Sequence, residues 1–195
     1  MSKAVRICLA LALLTLLPAA GQAATREQRV QPRNDIAGLP NFVQVSAGLY
    51  RGAQPDQQGF RALKKMGVRT IINLRAKFDD VPLLGGLGFR YIRIPINSWS
   101  LSDEDVVTFL QVVTDCSNQP VFVHCQHGAD RTGIMVAIYR MYAQEWSKKE
   151  AVEELNDFGF HLVWINLRNY LDRVDLRHLK YEVDHAMPAR VRVIK

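Results

Sequence analysis

The sequence predicts an α/β domain, with a central, mostly parallel sheet of four to five strands and helices on both faces. Three observations point there. From about residue 50 onward, short β-branched runs alternate with stretches of helical periodicity. The runs are continuously apolar, as strands buried on both faces are, rather than alternating in and out. The helical stretches begin at capping residues and end at glycine or proline, which fixes an alternating order of elements.

Taken in order, Phe42, Val43 and Val45, then Leu49 and Tyr50, bracket the turn Ser46-Ala47-Gly48 and read as a hairpin. Pro55-Asp56 opens a helix that points Phe60, Leu63 and Met66 inward, and Gly67 ends it. Val68 to Leu74 is a β-branched run suited to a buried strand. A loop at Gly85-Gly86-Leu87-Gly88 leads to a second such run, Phe89 to Ile94. Ser102 with Asp105 has the spacing of a capping box, and Val106, Leu110 and Val113 follow at helical intervals. After Pro120, Val121 to His124 forms a four-residue apolar strand. Ile134, Ala137, Ile138 and Met141 make a helical stripe. Ser147 and Glu150 cap a further helix with Val152 and Leu155 inside, and a last helix is expected over about 163–174. No repeat, low-complexity tract or second domain interrupts this order.

The ends read differently. Lys3 and Arg6 precede an apolar run from Ile7 to Leu17, and Gly21-Gln22-Ala23 supplies small residues at a cleavage site. This is the form of a secretory signal peptide over 1–23, too short to span a bilayer, which needs about 20 apolar residues. The expected location is therefore periplasmic or secreted, with no stable membrane insertion after cleavage. Cleavage would remove two basic and no acidic residues, taking the net charge from +6 to +4. A mild positive balance suits an anionic substrate but is also ordinary for a small domain. Residues 24–40 read as a flexible arm, 41–180 as the one folded domain, and 181–195 as a basic, solvated tail. No aromatic interleaving supports a nucleic-acid partner.

The chemistry concentrates in Val121-Phe122-Val123-His124-Cys125-Gln126-His127-Gly128-Ala129-Asp130-Arg131-Thr132-Gly133. A cysteine ends a buried strand, five loop residues follow, and an arginine opens a helix. Singly, such a cysteine is usually a small buried hydrophobe, and such an arginine is poorly matched to the helix dipole. Together they suit an oxyanion such as phosphate. A loop turning from strand into helix aims successive N–H groups inward, and the helix N-terminus adds its positive end. The phosphate contacts would come from Gln126, His127, Gly128, Ala129, Asp130 and Arg131. Gly128 permits the tight turn, and Arg131 can grip two oxygens at once. The same field favours an ionised, nucleophilic sulfur at Cys125. Thr132 is placed to donate its hydroxyl to that sulfur, and His124 to orient the loop.

His124-Cys125, five residues, then Arg131-Thr132-Gly133 resembles the signature of protein tyrosine and dual-specificity phosphatases. Leu49 to Pro55, Thr70 to Arg75 and Tyr91 to Pro95 resemble the bacterial dual-specificity-like branch, over about 49–174 in all. An exported member of this layout is similar to the periplasmic tyrosine phosphatases of Gram-negative bacteria. The resemblance implies the cysteine-phosphatase fold, a phosphocysteine intermediate, and neither metal nor cofactor. Its implied substrates are phosphorylated proteins, with phospholipids or inositol phosphates as the alternative and a turnover-free phosphoanion-binding module as a further one.

One departure concerns the general acid. The family commonly draws it from an aspartate on a separate upstream loop, yet Asn97-Ser98-Trp99-Ser100-Leu101 holds no carboxylate. Asp103 and Asp105 follow in a first helical turn, where they complement the dipole. Asp130, in Gly-x-Asp-Arg-Thr-Gly, resembles the loop aspartate proposed as the acid in phosphoinositide phosphatases and some bacterial secreted tyrosine phosphatases; it is the expected general acid, with a loop anchor as the alternative. Trp99 either lines the substrate entrance or covers core. Cys116 is either a buried free thiol or a disulfide partner that protects Cys125.

Overall fold

A computed structural model of the chain describes residues 29–97 and 99–194; the signal-peptide segment 1–23 lies outside the described residues. Six strands form one sheet: β1 (Val43–Ser46), β2 (Leu49–Gly52), β3 (Thr70–Arg75), β4 (Arg90–Ile96), β5 (Val121–His124) and β6 (Arg192–Val193). Their order is β1-β2-β5-β3-β4-β6. The four inner strands run parallel, and both edge strands are antiparallel to their neighbours. The sheet is thus mixed and one strand larger than expected, with a parallel centre.

Helices cover both faces. Helix α1 (Gln57–Lys65) and the short α2 (Val81–Leu84) lie on one side, with Phe60, Leu63, Leu84, Phe89 and Phe122 packed in a common core. The other side carries α3 (Asp103–Thr114), α4 (Asp130–Ala143), α5 (Lys148–Asp157), α6 (Ile165–Arg173) and α7 (Leu176–His185). Three caps form as their residues require. Asp56 accepts from the Gly59 amide at 2.8 Å, and Ser102–Asp105 and Ser147–Glu150 are both reciprocal capping boxes. Each such cap stabilises its helix by about 1 kcal/mol.

Several expectations are corrected. Met66 is 38% exposed, because α1 has already ended and the chain turns outward at Gly67 (φ +84). Helix α4 is enclosed nearly all round rather than along one stripe, since the sheet, α5 and α6 surround it. The expected helix at 163–174 splits into a 3₁₀ turn, Leu162–Trp164, and α6. The tail at 181–195 is not merely solvated. Residues 181–185 complete α7, where Leu179 and Val183 are buried, and Arg192–Val193 pair with β4. The described part of the arm is packed too. Arg29 pairs with Glu153 and Asp157, Arg33 bridges to Phe42, and Leu39 is buried.

The register places the site. Gly52 and Asn73 both stand opposite His124, so β2, β5 and β3 end at one level. Their following loops therefore meet at the carboxyl edge of the sheet, where open parallel sheets bind ligands.

Candidate active site

Cys125 leaves the end of β5, the central strand, and is 1% exposed. The chain then turns through Gly128 (φ +70) into α4. A Cβ at Gly128 would lie 2.5 Å from the Gly52 carbonyl carbon and 2.6 Å from the Ala53 nitrogen, so the loop rests directly on the end of β2. Helix α4 begins at Asp130, and the Gly133 amide donates to the Ala129 carbonyl at 3.0 Å. Among the described residues, none of the amides from Gln126 to Thr132 donates to another protein group. A row of unpartnered N–H groups at a helix N-terminus is an anion cradle.

The loop is fastened from several sides. Gln54 donates its amide to the Gln126 carbonyl at 3.3 Å, and Asn41 donates Nδ2 to the His127 carbonyl at 3.0 Å. Arg51, wholly buried, donates Nη2 to the Gly128 carbonyl at 2.7 Å and stacks over Phe158 at 3.6 Å. Burial is the main cause that pulls Arg51 down to about 10, opposed by the charges of Glu154 and Cys125. His124 orients the loop as expected. Its Nε2 lies 2.8 Å from Asp80 Oδ2 and its Nδ1 3.4 Å from the Cys125 carbonyl. Asp80 also accepts from Gln54 Nε2 at 2.9 Å, and Arg75 donates to Gln54 Oε1 at 2.6 Å. A continuous polar chain thus runs from His124 to the guanidinium of Arg75.

Arg131, Gln126, Arg75, Ala76, Lys77, Phe78, Ile96 and Asn97 line a cleft of about 240 Å³. Three of the eight are cations and none is a carboxylate. Burial pulls Arg75 below the usual arginine range, and the nearby Arg131 pulls the same way, opposed by Asp80 and Cys125. Trp99, 64% exposed, packs edge-on against Trp164 at 5.0 Å. It therefore does not cover core.

The remaining site residues fare unevenly. His127 and Gln126 are exposed, and Gly128 and Ala129 are buried in the loop. Among the described residues the buried Thr132 hydroxyl has no hydrogen-bond partner, so it makes no bond to the Cys125 sulfur. Asp130 Oδ1 accepts from the His161 amide at 2.8 Å, and the His161 ring Nδ1 lies 3.1 Å from both carboxylate oxygens. That is the environment of an anchor, with both oxygens already engaged. Asp103 accepts from Tyr170 Oη at 2.6 Å and lines a different hollow with Arg173 and His178. Asp105 is held in the α3 capping box. Cys116 is half-buried and is not joined to Cys125, which is a free thiol. Arg51, Arg75, Asp80 and His161 join the site without a local sequence signal, since each meets its partner across a long separation.

Residues 39–169 match the family model described as a DSP-PTPase phosphatase fused to NAD+ kinase. The chain belongs to this family. The dual specificity protein phosphatase TpbA of Pseudomonas aeruginosa is 34% identical over 149 residues, covering 74% of this chain and 65% of TpbA. In a second strain the identity is 34%, with 62% of this chain and 55% of TpbA covered. The chain thus spans slightly more than half to two-thirds of these relatives' length. A crystal structure of P. aeruginosa TpbA superposes with a TM-score of 0.71 at 29% identity, covering 82% of this chain and 99% of that one. A variant of it in complex with phosphotyrosine matches equally well, at 28% identity. An inositol diphosphatase of Arabidopsis thaliana is 26% identical, with 72% of this chain and 75% of the relative covered. Family members therefore share the cysteine-phosphatase fold that the His124–Gly133 segment implies.

Proposed function

We propose that the chain hydrolyses phosphate monoesters, foremost those of phosphotyrosine proteins, through a phosphocysteine intermediate. The observation that carries this is the row of unpartnered amides from Gln126 to Thr132 directly after Cys125, beside a cleft that Arg131 lines. The amides and guanidinium hold the three non-bridging oxygens. The Cys125 thiolate attacks phosphorus, a new S–P bond forms, and the P–O bond to the leaving group breaks. Water then attacks phosphorus, the S–P bond breaks, and the thiolate returns with inorganic phosphate released. Membership of the dual-specificity family and the likeness to TpbA support this reading.

No carboxylate lines the described cleft, and Asp130 is engaged by His161. Such a site acts best on leaving groups that depart without a donated proton, which favours aryl phosphates such as phosphotyrosine. The test is phosphate release from phosphotyrosine, phosphoserine and a series of substituted aryl phosphates. Rates should fall steeply as the leaving group becomes more basic, and Cys125→Ser should abolish turnover. Activity retained in Cys125→Ser would refute the mechanism, whereas an inactive parent that still binds phosphate would leave only a phosphoanion-binding module.

A second reading is favoured by Arg75 and Lys77, which add two cations beyond Arg131. That surplus suits a substrate with more than one phosphate, and several relatives are named inositol diphosphatases. Including an inositol diphosphate in the panel decides between them. Export to the periplasm is part of the proposal and rests on the leader-like segment 1–23. Fractionation of cells making the full chain tests it.

A further inference from the structure

Arg51 lies beneath the cradle rather than in it. It is 1% exposed, and its Nε has no hydrogen-bond partner. Among the described residues it forms no ion pair, because the nearest buried carboxylate, Glu154, is already taken by Arg140 through bonds of 3.1 and 2.6 Å. A guanidinium buried without a counter-ion is costly, by several kcal/mol before compensation. It persists here on three contacts. Its Nη2 reaches the Gly128 carbonyl, its face lies on Phe158, and it borders Gly133 in the first turn of α4.

The bond to Gly128 has a geometric consequence. A trans peptide points its carbonyl and its N–H in opposite directions. With the Gly128 carbonyl drawn down onto Arg51, the amide of Ala129 is turned up, away from the guanidinium and toward the cradle. Among the described residues the Ala129 amide has no acceptor, as that orientation requires.

We infer that Arg51 is a positioning residue: by gripping the Gly128 carbonyl from below it aims the Ala129 amide at the bound phosphate. This rests on the proposed phosphate cradle and identifies what holds it open. It also implies that an anion above the loop and the cation below it stabilise each other, with the loop peptide between them.

The test reads phosphate binding without turnover. Inorganic phosphate is titrated calorimetrically into the parent, Arg51→Met and Phe158→Leu, and the rise in Tm at saturating phosphate is recorded for each. Val183→Ala, in α7 and far from the cradle, controls for lost stability. Arg51→Met should bind phosphate about tenfold more weakly or worse, the size expected for losing a hydrogen bond that involves a charged group. Phe158→Leu, which loosens the guanidinium without removing it, should weaken binding several-fold. Both should show a smaller phosphate-induced rise in Tm, and Val183→Ala should keep the full rise. Should Arg51→Met fail to fold, Phe158→Leu decides alone. Unchanged phosphate affinity in the folded variants, or an equal loss in Val183→Ala, would overturn the inference. A parent that binds phosphate but hydrolyses nothing would instead defeat the activity proposal and leave this test readable.

Discussion

At the scale of single residues, the loop tolerates little. Gly128 combines a left-handed backbone with a Cβ position already filled by the end of β2. Gly128→Ala should therefore lose both cradle geometry and stability, with about 1–2 kcal/mol from backbone strain alone and more from the clash. Aryl phosphatase activity and a melting curve measure the two effects. Asn41 also takes a positive φ of 54°, which asparagine accepts more readily than most residues. Asp130 gives a sharper prediction. As an anchor for His161, Asp130→Asn should lower turnover of aryl and alkyl phosphates by the same factor. A much larger loss for alkyl phosphates would instead make it the proton donor. The legibility of these residues follows their separation in sequence. Cys125, Gly128 and Arg131 are neighbours, so their joint chemistry can be read from one segment. Arg51 meets Gly128 across 77 positions, Asp80 meets His124 across 44, and His161 meets Asp130 across 31. Nothing local marks such partners. An arginine in Tyr50-Arg51-Gly52 looks solvated until the sheet places it under the loop.

At the scale of elements, local capping chemistry was the most readable signal. Asp56, Ser102 and Ser147 all start helices as their spacing implies, because a cap is satisfied within four residues. Helix α7 carried a comparable signal that went unread. Asp175 caps it through the amides of Arg177 and His178, and Leu179 and Val183 stand one turn apart. The edge strand β6 had no such signal, since two residues pair only because β4 offers an open edge. Packing between α4 and α5 depends on one buried ion pair, Arg140 with Glu154, supported by Trp146 stacked on the guanidinium at 4.2 Å. Arg140→Met alone should destabilise the fold by about 3–5 kcal/mol, since it strands a buried carboxylate. The double change Arg140→Met with Glu154→Leu should recover most of that loss. Urea unfolding of the three variants checks the ordering, and an equal loss in single and double variants would show that the pair's charges are not what matters.

At the scale of the whole molecule, charge and pH act on different parts. The cleft presents Arg75, Lys77 and Arg131 to an anionic substrate. Its kcat/KM should therefore fall as salt rises from about 0.01 to 0.15 M, over which the screening length shortens from about 30 to 8 Å. A neutral ester analogue would show no such trend. Stability should respond at alkaline pH. Burial, the largest cause, raises Tyr91 to about 12 from 10.0, so the folded state holds this proton more tightly than the unfolded chain does. Its contribution is full below pH 10 and is lost as the pH rises through about 12. Denaturant midpoints across that window should drop less in Tyr91→Phe than in the parent. The overall architecture is legible because its parallel centre is written as uniform apolar runs and the β1–β2 edge as a hairpin turn, whereas the β6 edge depends on a distant neighbour, β4. The Asn41 side chain also bonds to the carbonyl of Phe158, at 3.2 Å, so one amide group ties the segment before β1 to two distant segments. Anyone trimming the protein to its smallest crystallisable piece should begin upstream of that asparagine. A cut at Val43 would spare every strand yet release the catalytic turn from its outer tether.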